Sequence, residues 1–425
     1  MKKMLEKILK MLARAVLKKY RPEIIAVTGS FGKTSTTKAI YTVLASTYTV
    51  GTNIKNYNNE IGIPLSIIGT ASGGRSVFKW LAVFLKAFSL LLLTDKIYPE
   101  FLVLEFGADK PGDIKYLSNL VPIKVAVVTA VGPAHIEFFE SLDHIAAEKG
   151  DLVRALPDNG TAVLNADDLR VLAMAGNTKA QVVTFGTVAN TNYSASNTTV
   201  RQEHDKIVGL SFTVTSEDGD QMVSLPHVVG KHFVYAALAA IAVGKIYDLD
   251  VVTIVKALEE FKTPNGRMKI IAGIKHTTII DDTYNSLPDA AIEALAFLAE
   301  VNFGRQKYAV LGDMLELGKE SEALHHKVGT FVASHQVDYL ITAGPLAKDI
   351  AEAARDAGLD KDHIFSFNNS VEAGEFLQSR LEPGDVVLIK GSQNMRMEKV
   401  VKEVMAEPEK APALLVRQDS AWLKK

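Results

Sequence analysis

The chain runs to 425 residues, enough for two or three domains, and its 48% apolar and 23% charged residues are ordinary for a folded globular protein. A formal net charge of −2 gives no global field pointing to nucleic acid, and the lack of cysteine excludes disulfides and thiolate metal sites while fitting a reducing compartment. Lys7, Lys10 and Arg14 break up any secretory signal core, and no run reaches the roughly 20 apolar residues that span a bilayer, since 77–93 carries Lys79 and Lys86.

Residues 2–19 read as a basic amphipathic helix. Met4, Leu5, Ile8, Met11, Leu12, Ala15 and Val16 keep helical spacing, with Lys3, Lys7, Lys10, Arg14 and Lys18 on the other face. Such a helix suits a membrane surface or an acidic partner, and equally suits packing on its own domain with a solvated basic face. Pro22 ends it. Residues 23–28 form a short buried strand, 33–45 a helix, and 101–105 and 124–129 two more strands that end in polar residues. This alternation predicts an α/β domain with a mostly parallel sheet and ligands at the carboxyl ends of its strands. Within it, about 70–99 is an apolar insertion whose helix either packs inside or lies at a membrane interface.

Residues 180–225 are rich in Thr, Ser, Asn and Val, alternate after Ile207, and are expected to be a small antiparallel section of the same domain. Residues 233–246 return to helix, and Thr263-Pro-Asn-Gly266 is a breaker cluster marking a domain boundary. Beyond it, strands at 277–280, 308–311, 339–342 and 385–389 lie between helices, the pattern of a second doubly wound, Rossmann-like α/β domain. The expected divisions are a helix at 1–21, a central domain at 22–265, a C-terminal domain at 266–405 and a surface tail at 406–425 carrying Trp422.

The chemistry begins at Thr28-Gly-Ser-Phe-Gly-Lys-Thr-Ser35, where strand turns into helix. Gly29 and Gly32 let backbone N–H groups close around phosphate oxygens, with Ser30 and Ser35 in the same loop, and the helix N-terminus adds partial positive charge. Lys33 is placed to reach terminal phosphates and Thr34 to ligate Mg²⁺, although Val27 stands where a full P-loop has its first glycine. Glu105 ends a very apolar strand, where a carboxylate needs a metal or a basic side chain to offset its desolvation. His135 follows the next strand end, so Thr34, Glu105 and His135 make a Mg²⁺ site if three strand ends meet, against the commoner role of a lone His as structural.

These residues carry a resemblance. The loop at 28–35, Asn58-Asn-Glu-Ile-Gly-Ile-Pro64, Leu104-Glu-Phe-Gly-Ala108, Val131-Gly-Pro-Ala-His135 and Asn165-Ala-Asp-Asp168 resemble the central domain of the Mur ligases. So does Gly266-Arg-Met268, while Asp281-Asp-Thr-Tyr-Asn285, Leu311-Gly-Asp-Met-Leu-Glu-Leu-Gly318 and Lys390-Gly-Ser392 are similar to the branch that adds D-alanyl-D-alanine in particular. The motifs run in order from about residue 25 to about 400, which is far more specific than any one of them.

The resemblance implies a P-loop-type ATPase domain, and ATP and Mg²⁺ as cofactors. It also implies a reaction in which ATP phosphorylates a carboxylate to an acyl phosphate that an amine then attacks. It implies that Lys33, Lys149 and His135 are catalytic, that Thr34, Glu105, His135 and Lys149 meet metal, and that Lys149 does so as a carbamate, because a bare ammonium repels Mg²⁺. Arg267 and Asp282 are similar to nucleotide contacts, and Asn58, Asn59, Tyr284 and Asn285 to substrate contacts; for Arg267 and Asp282 the bland alternative is a surface ion pair.

The pattern also departs from the family. Only the basic helix precedes the loop, where these ligases carry a UDP-sugar-binding domain, so the muropeptide-like acceptor is expected to be either a soluble small molecule or lipid-linked. Phe233, Ala236, Ala130 and Leu287 stand where asparagines are expected, which puts adenine recognition and substrate choice in question. The partners implied are this acceptor and an amino acid or dipeptide, with no nucleic acid, and peripheral membrane contact through 2–19 and 77–93. The expected location is the cytoplasm, with the inner face of the membrane as the site of any such contact. Two other readings stay open: a folylpolyglutamate- or poly-γ-glutamate-type ligase, and a non-catalytic ATP-binding partner of a membrane complex.

Overall fold

A computed structural model describes every residue except 1, 55–56, 134–135, 205, 420–421 and 424–425, and only the backbone of 2, 136 and 137. The chain divides into two units. The first comprises Met1–Thr198, Phe212–Ser224 and Phe233–Phe261; the second comprises Thr199–Ser211, Leu225–His232 and Lys262–Lys425.

The short apolar runs of the first half become strands β1 (Glu23–Thr28), β2 (Val50–Thr52), β3 (Phe101–Glu105), β4 (Val125–Val128), β5 (Thr161–Asn165) and β6 (Gln181–Gly186). They lie in the order β2-β3-β1-β4-β5-β6, all parallel. Residues on both faces of β1, β3 and β4 are buried, as expected of a parallel sheet covered on both sides. The chain leaves β1 toward β3 on one side and returns to β4 on the other, so the crevice outside the carboxyl end of β1 is a topological switch point, where ligands bind in this architecture. The register aligns Val27 with Glu105 and Thr28 with Val128, so all three strands end at the same edge.

The region expected to be a small antiparallel section of the same domain begins in parallel instead. Its first strand, β6, continues the main sheet in parallel, and β7 (Tyr193–Glu203), β8 (Lys206–Ser216) and β9 (Gly219–Leu225) follow as successive neighbours in one nine-stranded sheet. Alternation fixes which face a side chain points to, but it cannot tell the direction of a partner strand.

Helix α1 (Lys2–Tyr20) is packed on its own unit. Leu9, Leu12, Ala13, Val16 and Leu17 join the core with Val83, Ala87 and Leu90 of a later helix, leaving Lys3, Lys7, Arg14 and Lys18 exposed. The other helices that frame the site are α2 (Lys33–Leu44), α3 (Gly62–Ile68), α4 (Val77–Leu92), α5 (Asp113–Ser118), α6 (Ile136–Phe139) and α7 (Leu142–Arg154).

In the second unit the strands are β10 (Lys269–Ala272), β11 (Thr278–Asp282), β12 (Lys307–Gly312), β13 (Tyr339–Ala343), β14 (Ile364–Phe367) and β15 (Val386–Lys390). Their order is β10-β11-β15-β12-β13-β14, parallel except for β10, which is the antiparallel edge of a Rossmann-like sheet. The segment expected as a surface tail is partly core. Ala411 and Leu415 are buried with Val400, Val401 and Val404, and the Arg417 guanidinium donates to Glu398 at 2.9 Å and to the carbonyls of Thr283 and Tyr284. Polar composition near the terminus hid these two apolar anchors.

Candidate active site

Gly29 and Gly32 both take positive φ, +149° and +79°, so the chain after β1 turns over its own strand end before entering α2. A side chain at Gly29 would lie 2.0 Å from Thr129 Oγ1, so the loop closes only around a bare backbone. The segment after β4 clamps it. Thr129 Oγ1 donates to the carbonyl of Phe31 at 2.6 Å, Ser30 N–H to Ala130 O at 2.7 Å, and the Ser30 hydroxyl exchanges hydrogen bonds with Gly132 N and O at 2.9 Å. Lys33 Nζ donates to the carbonyls of Gly29 at 2.8 Å and Ser30 at 3.2 Å, which holds the ammonium over the loop. Thr34, half-buried, and Ser35, buried, occupy the first turn of α2, where backbone N–H groups have no helical acceptor.

Glu105 ends β3 beside Val27. Its Oε1 accepts from Asn58 Nδ2 at 3.0 Å, and its backbone is held by Asn53, which accepts from Glu105 N–H at 2.5 Å and donates to its carbonyl at 3.2 Å. Among the described residues no Lys or Arg pairs with Glu105, and the single Asn58 hydrogen bond leaves its carboxylate acceptor capacity for a cation. Gly107 lets Asn58 approach, since a Cβ there would lie 2.8 Å from Asn58 Cγ. Asn59 has a different job: its Oδ1 accepts from Gly62 N–H at 2.9 Å and caps the start of α3.

Lys149 is 3% exposed on α7. Burial, then the like charge of Lys33, push its amine down to about 7, with Glu148 opposing. Glu148 is itself spent on the backbone N–H groups of Gly112 and Ile114, both at 2.7 Å, which fixes α5 against α7. Lys149 is thus a buried amine without a salt-bridge partner among the described residues, close enough to Lys33 for the two to repel. Of the residues expected to meet metal, Thr34 and Glu105 therefore lie with Lys33 at one sheet edge, and Lys149 lies within electrostatic reach of Lys33; His135 lies outside the described residues. A hard divalent cation fits this oxygen-bearing edge, provided Lys149 offers a carboxylate and not an ammonium.

The second unit gathers its expected residues at the carboxyl end of β11. Lys390 Nζ donates to Asp282 Oδ2 at 2.6 Å and to the carbonyl of Asn285 at 3.0 Å, with both side chains nearly buried. The Asp282 partner expected as a surface ion pair is therefore a buried one. Arg267 stacks 4.2 Å above the Tyr284 ring, and its Nε is buried without a hydrogen-bond partner among the described residues. Phe233 and Ala236, at the positions of expected asparagines, are buried and offer no polar group to a base.

Sequence reasoning gave no role to Asn53, Thr129, Glu148 or Lys390. Lys390 had a signal, being a charge that ends an apolar strand as Glu105 does; Asn53 had none, because its partner lies on another strand.

Two protein-family comparisons match. The Mur ligase middle domain matches residues 86–244 and the Mur ligase glutamate ligase domain matches residues 266–393. The chain is 29% identical to the UDP-N-acetylmuramoyl-tripeptide–D-alanyl-D-alanine ligase of Bacillus subtilis, over 94% of this chain and 79% of that protein. It is 31% identical to the Escherichia coli enzyme of the same name, over 92% and 78%. The crystal structure of MurF ligase from Thermotoga maritima in complex with ADP superposes with a TM-score of 0.76 at 26% identity, covering 95% of this chain and 84% of that one.

Proposed function

This chain belongs to the Mur ligase family of ATP-dependent amide-bond-forming ligases, and from that premise we propose that it adds D-alanyl-D-alanine to a muropeptide-like carboxylate in cell-wall synthesis. The observation that supports the reading is the Lys33 loop and Glu105 at the ends of adjacent parallel strands, with the buried amine of Lys149 near enough to feel the charge of Lys33. The loop's backbone N–H groups and the Lys33 ammonium would receive the terminal phosphates of ATP. Lys33 would leave the Gly29 and Ser30 carbonyls and follow charge onto the transferred phosphoryl group. Thr34, Glu105, His135 and carbamylated Lys149 would hold Mg²⁺, which when bound offsets phosphate charge. Asn58 orients Glu105 by its 3.0 Å hydrogen bond. Arg267 and Asp282 would meet the nucleotide, and Tyr284 and Asn285 the substrate cleft.

The test is phosphate release from ATP and Mg²⁺ with D-alanyl-D-alanine and UDP-MurNAc-tripeptide, with product masses read in parallel. A product heavier by the dipeptide is expected. ATP turnover only with glutamate would favour the folylpolyglutamate-type reading, and no turnover with any acceptor the non-catalytic one. A lipid-linked acceptor is the second form of the proposal, favoured by the apolar side chains that α4 exposes.

A further inference from the structure

Helix α4 is built with two apolar faces and only one is covered. Val83, Ala87 and Leu90 sit in the core of the first unit. On the other side Phe78 (84% exposed), Leu81 (54%), Leu85 (61%), Phe88 (51%) and Leu92 (81%) recur at spacings of three and four, one continuous stripe along the helix. No acidic residue occurs in the helix, and exposed Lys79 and Lys86, seven positions apart, line one side of the stripe, the latter 3.5 Å from Asp95. The neighbouring helix α1 adds Lys3, Lys7, Arg14 and Lys18 on its own outer face. The two helices are tied together, because Lys19 Nζ donates to the carbonyls of Leu90, Leu91 and Leu93 at 2.8, 3.1 and 2.5 Å.

We propose that this face docks on an anionic phospholipid bilayer, with the α4 stripe in the acyl–headgroup boundary and the surrounding cations on headgroup phosphates. Its dimensions decide between occupants. Sixteen residues span about 24 Å, short of the ~30 Å hydrocarbon core, and no helix among the described residues is long and apolar enough to cross a membrane, so α4 lies on the surface. A second copy is a poorer fit. A like face would offer the lysines beside the stripe no acidic side chain on the helix to pair with. An apolar stripe rimmed by cations is the pattern of an interfacial helix, and two weak signals combined give stable attachment.

The experiment is co-sedimentation of the full chain, without nucleotide, on vesicles of phosphatidylglycerol and phosphatidylcholine and on vesicles of phosphatidylcholine alone. Binding is read apart from turnover, so its failure and the failure of the ligase reading are separable. Binding to the anionic vesicles is expected, weakened about 10-fold or more by Leu85→Glu with Phe88→Glu, and unchanged by Val252→Glu at another exposed apolar position. Should the double variant misfold, Trp80 at the helix's inner edge gives a second reading in the parent chain. With Trp422→Phe it is the sole indole, and brominated lipid is expected to quench it. No sedimentation of the parent chain, equal sedimentation of the double variant, or a dimer that the double variant dissociates without any vesicle binding would each overturn the proposal.

Discussion

At Lys149 a single buried amine sets a pH signature. Its folded value, about 7, lies below its ordinary 10.5, so between these limits the unfolded chain holds a proton that the folded chain lacks. Stability of the nucleotide-free protein therefore rises with pH from about 7 to about 10.5 on account of this group, and gains nothing from it below about 7, where both states are protonated. Urea unfolding across this range should show a slope that Lys149→Met removes; an unchanged slope would assign it to other groups. The same neutral amine is what CO₂ must meet to form a carbamate. Ligation should thus rise through about pH 7 and with added bicarbonate, and Lys149→Met should cut kcat by roughly 100-fold or more, with partial rescue by a small carboxylic acid. Gly29 makes a steric prediction. Ala at this position brings its Cβ onto Thr129 Oγ1, and should destabilise the protein by about 1–3 kcal/mol and abolish the thermal shift on adding ATP. Paired Gly29→Ala and Thr129→Ser should recover little, because the hydroxyl remains.

Two strand ends illustrate what one element can say about another. β3 and β15 each run apolar to a terminal charge, Glu105 and Lys390, and in each the charge is the part that reaches a neighbour. Lys390 spans from β15 to Asp282 on β11, its parallel partner in register. Lys390→Met would leave Asp282 charged and nearly buried, at a cost of about 3–5 kcal/mol in chemical denaturation, and adding Asp282→Asn should return much of it. Equal loss in the single and double variants would mean that packing, not charge, is what Lys390 supplies. The bounds of β1, β3 and the helix Phe233–Ile246 were legible because short apolar runs between breakers are local signals. The direction of β6 was not, since it depends on β5 across a connection that no period records. The same limit hid Asn53, whose backbone clamp on Glu105 reaches 52 positions along the chain.

For the whole molecule, the amphipathic N-terminal helix decided less in sequence than it does in the fold. Its period was plain, but whether the apolar side would meet lipid or protein depends on what else the chain leaves uncovered. The first unit buries Leu9, Leu12, Val16 and Leu17 in its main core, each contributing about 1.5–3 kcal/mol, a sum comparable to the whole net stability of a domain. A chain lacking residues 1–20 should accordingly be insoluble or melt far lower; a soluble truncation with an unchanged Tm would show that the helix is only appended. One residue of that helix also controls how the exposed corner ages in solution. Tyr20 Oη lies 2.9 and 3.2 Å from the carbonyls of Leu90 and Leu93 and accepts from Asp95 N–H at 3.0 Å. The bared leucines after α4 would otherwise tempt a chymotrypsin-like protease, which must first peel several residues away from the surface. With Tyr20→Phe and Lys19→Met together both sets of ties to Leu90 and Leu93 are gone, and limited digestion should nick the chain near Leu92 and Leu93 well before the parent protein is cut.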